Sequence, residues 1–586
     1  MGSRIVLPPS LRGRLAGGRG LAAMALVVGL GAGLGAVGFR YLIEYCTRAF
    51  TGHDDYSALG HVANPHVPAL GIFFVVLAPI VGGLVYGPLV SRFAPEARGH
   101  GVPEVMLAVA EHGGRIRPQV PAIKALASAL CIGSGGSVGR EGPIVQIGSA
   151  LGSVTGQLAG VSGRRLQLLV ACGAAGGISA TFNAPIAGVF FALEVILRDF
   201  ETQAFGVVVI SSVAAAALAR SIFGSASFLH LPAFQLASPA ELLLYAALGA
   251  LAGVAGILFI RVLYGAEDLA DRLWRGPAWA RPAVGGVLLG LLLLALPQMY
   301  GVGYPVLARA VEGHYAIAFL VVLLVGKIVA TSLTISIGGS GGVFAPSLFM
   351  GAMLGAGFGQ LAHGALPDLT APAGAYALVG MGAVFAGAAR APITAVVIVF
   401  ELTGDYSIIL PLMFAIVLAT AISERISDDT IYTLKLRRRG IRVDRPRVVS
   451  VMQTVSAGEA MAALPATLDH RAPMSAAVER IVDGDETAIP VLDERGRLLG
   501  LISASDLEDD ALSHDDAASN VGALAHTAST VHVGESLEEA VRALSRTDDP
   551  AVVVVDDVGE HPVGWITHRA ALRTYHRGRE RLTPRD

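Results

Sequence analysis

Gly139-Arg140-Glu141-Gly142-Pro143 places a carboxylate inside a stretch that otherwise reads as buried in a bilayer. At membrane depth such a charge costs roughly 2.5–3.5 kcal/mol. The glycines end one apolar segment, and Pro143, a residue favoured in a first helical turn, begins the next. Glu141 therefore lies at or just before a helix N-terminus. Exposed N–H groups and the helix dipole stabilise a negative charge there by about 0.3–2 kcal/mol, which does not clearly cover the cost. One reading is a helix-capping glutamate in a buried turn. The other is a site that holds a carboxylate weakly and accepts a small anion in its place.

Composition sets the surroundings of that turn. The chain has 586 residues, 53% hydrophobic and 15% charged, whereas soluble chains carry about 25% charged residues. It reads as a polytopic membrane protein. Met24–Ile43, Leu70–Val90, Leu242–Val262, Val284–Leu296 and Ile317–Thr334 are among its apolar runs, several approaching the ~20 residues that span a bilayer. Others are short or broken by Gly and Pro, which is tolerated only where the backbone is buried in protein or lines a cavity. The 72 glycines suit close helix–helix approach in lipid. Cys46, Cys131 and Cys172 lack metal-ligand spacing and read as packing residues. The net charge of −3 gives no sign of a nucleic-acid partner. Arg4, Arg12, Arg14 and Arg19 precede the first apolar run with no clear cleavage site, and Lys435-Leu436-Arg437-Arg438-Arg439 follows the last. The positive-inside rule places both ends in the cytoplasm.

The membrane part is written twice. Gly135–Ala159 aligns with Gly338–Ala362 at an offset of 203, with 12 of 25 positions identical, Pro143 falling on Pro346. At the same offset Lys124 falls on Lys327. Further on, Ala184-Pro185-Ile186 matches Ala391-Pro392-Ile393, and Glu194 matches Glu401. Matching broken helices in two halves point to a transporter binding site near the bilayer midplane. Glu141 aligns with Phe344, so the halves share a backbone design and differ at the site. A purely structural glutamate would more naturally recur in both.

Two further turns belong to the same region. Gly342-Val343-Phe344-Ala345-Pro346 is the repeat partner, and Gly99-His100-Gly101-Val102-Pro103-Glu104 is a third glycine-flanked turn. Converging helix N-termini make an anion site without a full positive charge. Partial charges bind an ion while letting it leave. A divalent-cation transporter would need several carboxylates facing the pore, and the turns supply one. No nucleophile–base pair suggests an enzyme, and His100-x-x-x-Glu104, beside Pro103, makes a poor metal motif.

Gly99–Pro103, Gly139–Pro143 and Gly342–Pro346, in that order and followed by Ile431-Tyr432, resemble the CLC family of chloride channels and chloride/proton antiporters. The resemblance implies an all-α polytopic membrane protein with inverted-repeat CLC architecture and broken helices, a homodimer and one anion pathway per subunit. It implies that Glu141 is the gate. Gly101, Gly139, Arg140, Val343 and Phe344 would surround the anion, with Val343 and Phe344 offering backbone N–H groups. Tyr432 would donate its hydroxyl, unless it is an interfacial aromatic. Lys124 and Lys327 would raise the local potential, unless they snorkel toward an interface.

Two positions depart from the family pattern. Many chloride-selective members have Ser where this chain has His100. An imidazole that contacts the anion would alter selectivity and add pH dependence; a ring that points away would leave only its backbone N–H. Antiporters of the family often carry an inner glutamate immediately after the position of Glu194, and here that residue is Val195. Valine carries no proton, which favours a passive, glutamate-gated chloride channel, with proton-coupled exchange as the alternative.

After about Arg445 the chain turns polar. Ala488–Asp493 and Leu498–Ser503 form one hairpin pattern, echoed by Ala551–Asp556 and Pro562–Thr567. This resembles a cytoplasmic α/β pair of CBS modules. The layout expected is an N-terminal segment 1–19, a membrane domain 20–435 with repeats 20–225 and 238–435, and a linker 436–445. Modules at 446–511 and 519–576, joined across Ser513–Ala518, and a tail 577–586 complete it. Such pairs often bind adenine nucleotides. Ser503 and Asp506 fit a phosphate- and ribose-holding pattern; in the second module Thr567 is present but Ala570 replaces the Asp. ATP, ADP or AMP would bind there, or the pair serves dimerisation and docking.

Overall fold

A computed structural model describes residues 18–224, 236, 238–441, 451–482, 487–512, 520–546, 549–556 and 558–582. Arg4, Arg12, Arg14 and Ser513–Ala518 lie outside the described residues. The chain divides into two compact units, before and after Asp444.

The membrane unit is helical and its two halves match element for element. The first runs α1 (Gly18–Thr51), α2 (Phe74–Phe93), α3 (Val102–Ala110), α4 (Val120–Gly133), α5 (Glu141–Leu158), α6 (Gly163–Phe182), α7 (Pro185–Phe191) and α8 (Thr202–Phe223). The second runs α9 (Glu241–Leu273), α10 (Arg281–Ala295), α11 (Tyr304–Val311) and α12 (Ile317–Ser336). It continues with α13 (Phe344–Ala365), α14 (Ala373–Ala389), α15 (Pro392–Thr403) and α16 (Ile409–Ile426). Among the described residues, seven helices are long and apolar enough to cross a membrane.

Glycine sets how closely these helices pack. A Cβ on Gly148 would lie 2.1 Å from the Gly173 carbonyl, where α5 crosses α6. The repeat-related Gly351 would meet the Gly380 carbonyl at 2.2 Å, where α13 crosses α14. No larger residue fits either crossing without moving backbone.

Glu194 and Glu401 hold the halves together reciprocally. Glu194 accepts the N–H groups of Ile393 (3.1 Å) and Thr394 (2.8 Å) at the start of α15. Glu401 accepts those of Ile186 (3.0 Å) and Ala187 (2.7 Å) at the start of α7. Each carboxylate caps the other half's Ala-Pro-Ile helix, where orphan N–H groups need an acceptor. The two repeat-related glutamates are therefore a pair of long-range caps.

The basic cluster after α16 is not a free linker. Thr433–Arg438 forms α17, and Leu436 is fully buried. Lys435 pairs with Glu267 (3.1 Å) and Arg439 with Glu104 (2.8 Å), while Arg437 and Arg438 pair with Asp429 and Asp268. Up to Ile441 the segment is tied to the membrane unit. Charge counting along the sequence does not see these acidic partners.

The soluble unit contains two three-stranded sheets. The first comprises β1 (Leu468–Asp469), β2 (Ala488–Leu492) and β3 (Leu498–Ser503); the second comprises β4 (Thr530–His532), β5 (Ala551–Val555) and β6 (Pro562–Thr567). Both hairpins fall where the sequence pattern places them, and each has a register shift near its turn. The parallel strands β1 and β4 were not anticipated; with two and three residues they carry no period to read. The module boundaries are interwoven. Val521 packs into the first core with Leu468, Ala477 and Ile489, while Ala457 and Ala460 pack into the second with Val531 and Leu537. The final helix runs His568–Leu582, through the expected start of a separate tail.

Removing either long-range cap strands two N–H groups at a helix start. Glu194→Ala and Glu401→Ala should each destabilise the membrane unit by about 1–3 kcal/mol. Thermal unfolding in detergent should show a lower midpoint for both variants.

Candidate functional site

The three broken turns meet through their own backbones. Gly139 and Gly342 exchange hydrogen bonds, N–H to carbonyl at 2.7 Å one way and 2.5 Å the other. Gly99 donates to the Gly339 carbonyl at 3.0 Å, and Gly341 donates to the Gly99 carbonyl at 3.3 Å. A Cβ on Gly142 would lie 1.9 Å from the His100 carbonyl, so only glycine lets the first and second turns touch. Gly139, expected among the residues around the anion, commits its N–H to Gly342. Gly101 serves as the left-handed N-cap of α3 (φ 81°).

Glu141 is the first residue of α5 and is 1% exposed. Its side chain folds back over Gly139 toward the other half. One carboxylate oxygen accepts the Tyr304 hydroxyl at 2.7 Å. The other accepts the Ala345 N–H at 3.4 Å, in the first turn of α13. The carboxylate thus sits at the helix N-terminus that begins with Val343 as cap and Phe344 as first residue. The N–H seen to meet the carboxylate is that of Ala345, one residue beyond the expected donors Val343 and Phe344. Phe344 turns its ring away, onto Phe385 and Phe182 with centroids 4.4 and 5.4 Å apart. The Arg140 guanidinium donates to the Thr181 carbonyl (3.3 Å) and lies over the Tyr304 ring.

Neither lysine snorkels. Lys124 and Lys327 are both 0% exposed. Lys124 Nζ donates to the carbonyls of Ala97 and Gly99, each at 2.8 Å. Lys327 Nζ donates to the carbonyls of Gly301 (3.2 Å) and Val302 (3.0 Å) and to Ser137 Oγ (2.9 Å). Each lysine clamps a glycine turn in its own half. The turn held by Lys327 is Gly301-Val302-Gly303-Tyr304-Pro305, the second copy of Gly99–Pro103. Sequence reading missed this copy and with it Tyr304. The matching Gly-x-Gly-x-Pro spacing was the available signal.

His100 is 1% exposed, its ring centroid 6.4 Å from that of Tyr264 and 6.3 Å from that of Tyr432. The Tyr264 hydroxyl donates to the Ile431 carbonyl at 2.6 Å and lies 3.4 Å from His100 Nε2. Its one hydrogen is thereby used, so Nε2 is the donor in that pair and Nδ1 the acceptor. Nδ1 is buried and has no hydrogen-bond partner. A neutral ring offers an anion no N–H at Nδ1; a protonated one does. Lys124, Lys435 and Arg439 supply the positive charge around it. Tyr432 is buried in the main core, which excludes an interfacial position. Val195 is also buried there, in the π-helical turn Ala192–Leu197.

The tail residues expected to hold nucleotide are engaged with each other. One Asp506 oxygen accepts the Ser503 N–H (2.7 Å) and hydroxyl (2.6 Å) and lies 3.0 Å from His526 Nδ1. His526 Nε2 lies 2.7 Å from Asp549. Thr567 accepts the Ala570 N–H at 3.1 Å, capping the last helix.

The sequence model described as voltage gated chloride channel matches residues 82–424, and the CBS domain model matches 447–509 and 521–577. The chain belongs to the CLC family. It is an integral membrane anion transporter of that family, with the inverted-repeat helical fold and a CBS pair. The H(+)/Cl(−) exchange transporter ClcA of Vibrio parahaemolyticus is 34% identical over 425 residues, covering 71% of this chain and 89% of that protein. A protein of Ralstonia nicotianae, provisionally named a ClcB-like chloride channel, is 33% identical over 420 residues, covering 71% and 96%. The crystal structure of a slow cyanobacterial Cl−/H+ antiporter is 27% identical with a TM-score of 0.65, covering 72% of this CLC chain and 99% of the other.

His100→Ser should change anion preference. Permeability ratios for chloride and nitrate, measured at one fixed pH, check this. Unchanged ratios would place the ring outside the pathway.

Proposed function

We propose that this CLC protein exchanges a small anion, chloride first among them, for protons, with Glu141 as the gate. The observation that carries the reading is the Glu141 carboxylate, buried at the N-terminus of α13 and hydrogen-bonded to Ala345 and Tyr304. A carboxylate seated where an anion would bind is a tethered competitor. Protonation or displacement releases it, which ties proton movement to anion movement. The relatives named as H(+)/Cl(−) exchangers and the solved Cl−/H+ antiporter support exchange over the passive channel that Val195 suggested. A homodimer with one pathway per subunit accompanies this reading.

The channel remains a second reading, favoured by Val195 and by the name of the Ralstonia relative. For the tail, a nucleotide site is a further reading that Asp506 weakens. A ribose would have to displace His526 from it. Calorimetry on the full chain with ATP, ADP and AMP tests this, and no binding to any of them removes it.

Reversal potentials in bilayers under combined gradients separate exchange from conduction. Exchange predicts a shift when the pH gradient changes at fixed chloride; a voltage that follows chloride alone identifies a channel. Glu141→Gln should abolish proton coupling and leave anion flux open and insensitive to pH. Normal gating and coupling in that variant would reject Glu141 as the gate.

A further inference from the structure

The second copy of the glycine turn carries a residue whose counterpart in the first copy is Val102. Tyr304 takes that place, and its hydroxyl donates to Glu141 at 2.7 Å. The polar pair occurs once. The corresponding positions in the repeat, Val102 and Phe344, are both apolar and buried. The two halves therefore differ together at both members of the pair.

Tyr304 is also held in place by more than its own helix. Gly303 adopts a left-handed conformation (φ 89°) as N-cap of α11 and launches the tyrosine from the turn. Lys327 binds the carbonyls of that turn and, with the same ammonium group, Ser137 just ahead of the Glu141 turn. Thr331, one helical turn further along α12, donates to the Ser137 carbonyl at 2.8 Å. The Arg140 guanidinium lies over the ring, 5.3 Å from its centroid. One lysine thus fixes the hydroxyl donor relative to its carboxylate acceptor.

We propose that Tyr304 is a positioning residue for the Glu141 gate, holding the ionised carboxylate at the N-terminus of α13 and thereby setting how readily protons or the anion displace it. The proposal rests on the reading of Glu141 as the gate. The groups around the carboxylate are Arg140, from the residue before it; Lys327, on α12; Tyr304, on α11; Tyr432, before α17; and the Ala345 N–H, on α13. Arg140 and Lys327 have backbone and ring partners of their own. Tyr304 is the side-chain donor whose hydrogen goes to Glu141 itself.

A phenol donating to a carboxylate stabilises the charged form over the neutral one. Its removal makes Glu141 easier to protonate and a weaker competitor. The full-length protein, reconstituted in liposomes, tests this through chloride efflux against pH and chloride concentration. Tyr304→Phe should move the pH midpoint of transport upward by about one unit, the size expected for losing a hydrogen bond to a charged group. It should also lower the half-saturating chloride concentration, roughly three- to tenfold. In a Glu141→Gln background the same change should do nothing. A role in packing alone would reduce flux in both backgrounds and leave both midpoints where they were.

An unshifted midpoint and half-saturation in Tyr304→Phe would overturn the proposal, as would an equal effect in the Glu141→Gln background or a wild type whose flux ignores pH. If Tyr304→Phe does not fold, 3,5-difluorotyrosine at position 304 replaces it. That stronger donor should move the midpoint to lower pH, and no movement overturns the proposal. Proton flux recorded in the same vesicles keeps the two readings apart. A wild type that moves no protons, with the Tyr304 shift intact, removes exchange and leaves the positioning role. An unshifted variant of an exchanging protein removes the positioning role alone.

Discussion

Gly139 and Gly342 exchange a pair of backbone hydrogen bonds between the two halves of the membrane unit, and the site depends on that exchange. A helix broken inside a bilayer strands polar backbone groups that lipid cannot satisfy. Here each break satisfies the other. The interlock brings the N-termini of α5 and α13 face to face, and Glu141 at the first reaches Ala345 at the second. Glycine is required because the chains approach too closely for a side chain, as Gly142 against the His100 carbonyl shows. Without the interlock there would be two ordinary helix ends and no shared site.

Energetics explains why a carboxylate persists there. Its burial costs roughly 2.5–3.5 kcal/mol or more. A hydrogen bond to a charged group returns about 1.5–3 kcal/mol, and Glu141 has one good bond, from Tyr304, and one long one, from Ala345. The charge is nearly balanced, so a proton or a competing anion can tip it. The lysines illustrate the opposite design. Lys124 and Lys327 commit their ammonium hydrogens to carbonyls and a serine, which makes them clamps for the turns.

The soluble unit shows a related economy. Each module lends a segment to the other's core, so the pair folds as one body. His526 stands between Asp506 of the first module and Asp549 of the second. Asp506, expected to hold a ribose, meets in this arrangement the histidine that links the two modules.

Much of this was legible in the chain itself. Composition and apolar runs determined a membrane protein. The repeat, the asymmetry of Glu141 against Phe344, the paired lysines, the paired glutamates and the two hairpins were all readable, because each reflects local preference or a pattern copied within one sequence. What the tertiary structure alone decided is which turn meets which. Tyr304 lies far along the chain from Glu141, and a Gly-x-Gly-x-Pro spacing says where a turn is without saying what it faces. The same holds for the lysine clamps, the crossed caps of Glu194 and Glu401, the orientation of the His100 ring and the short strands β1 and β4. These depend on backbone groups brought together from distant segments, and periodicity and composition describe only how each segment prefers to behave by itself.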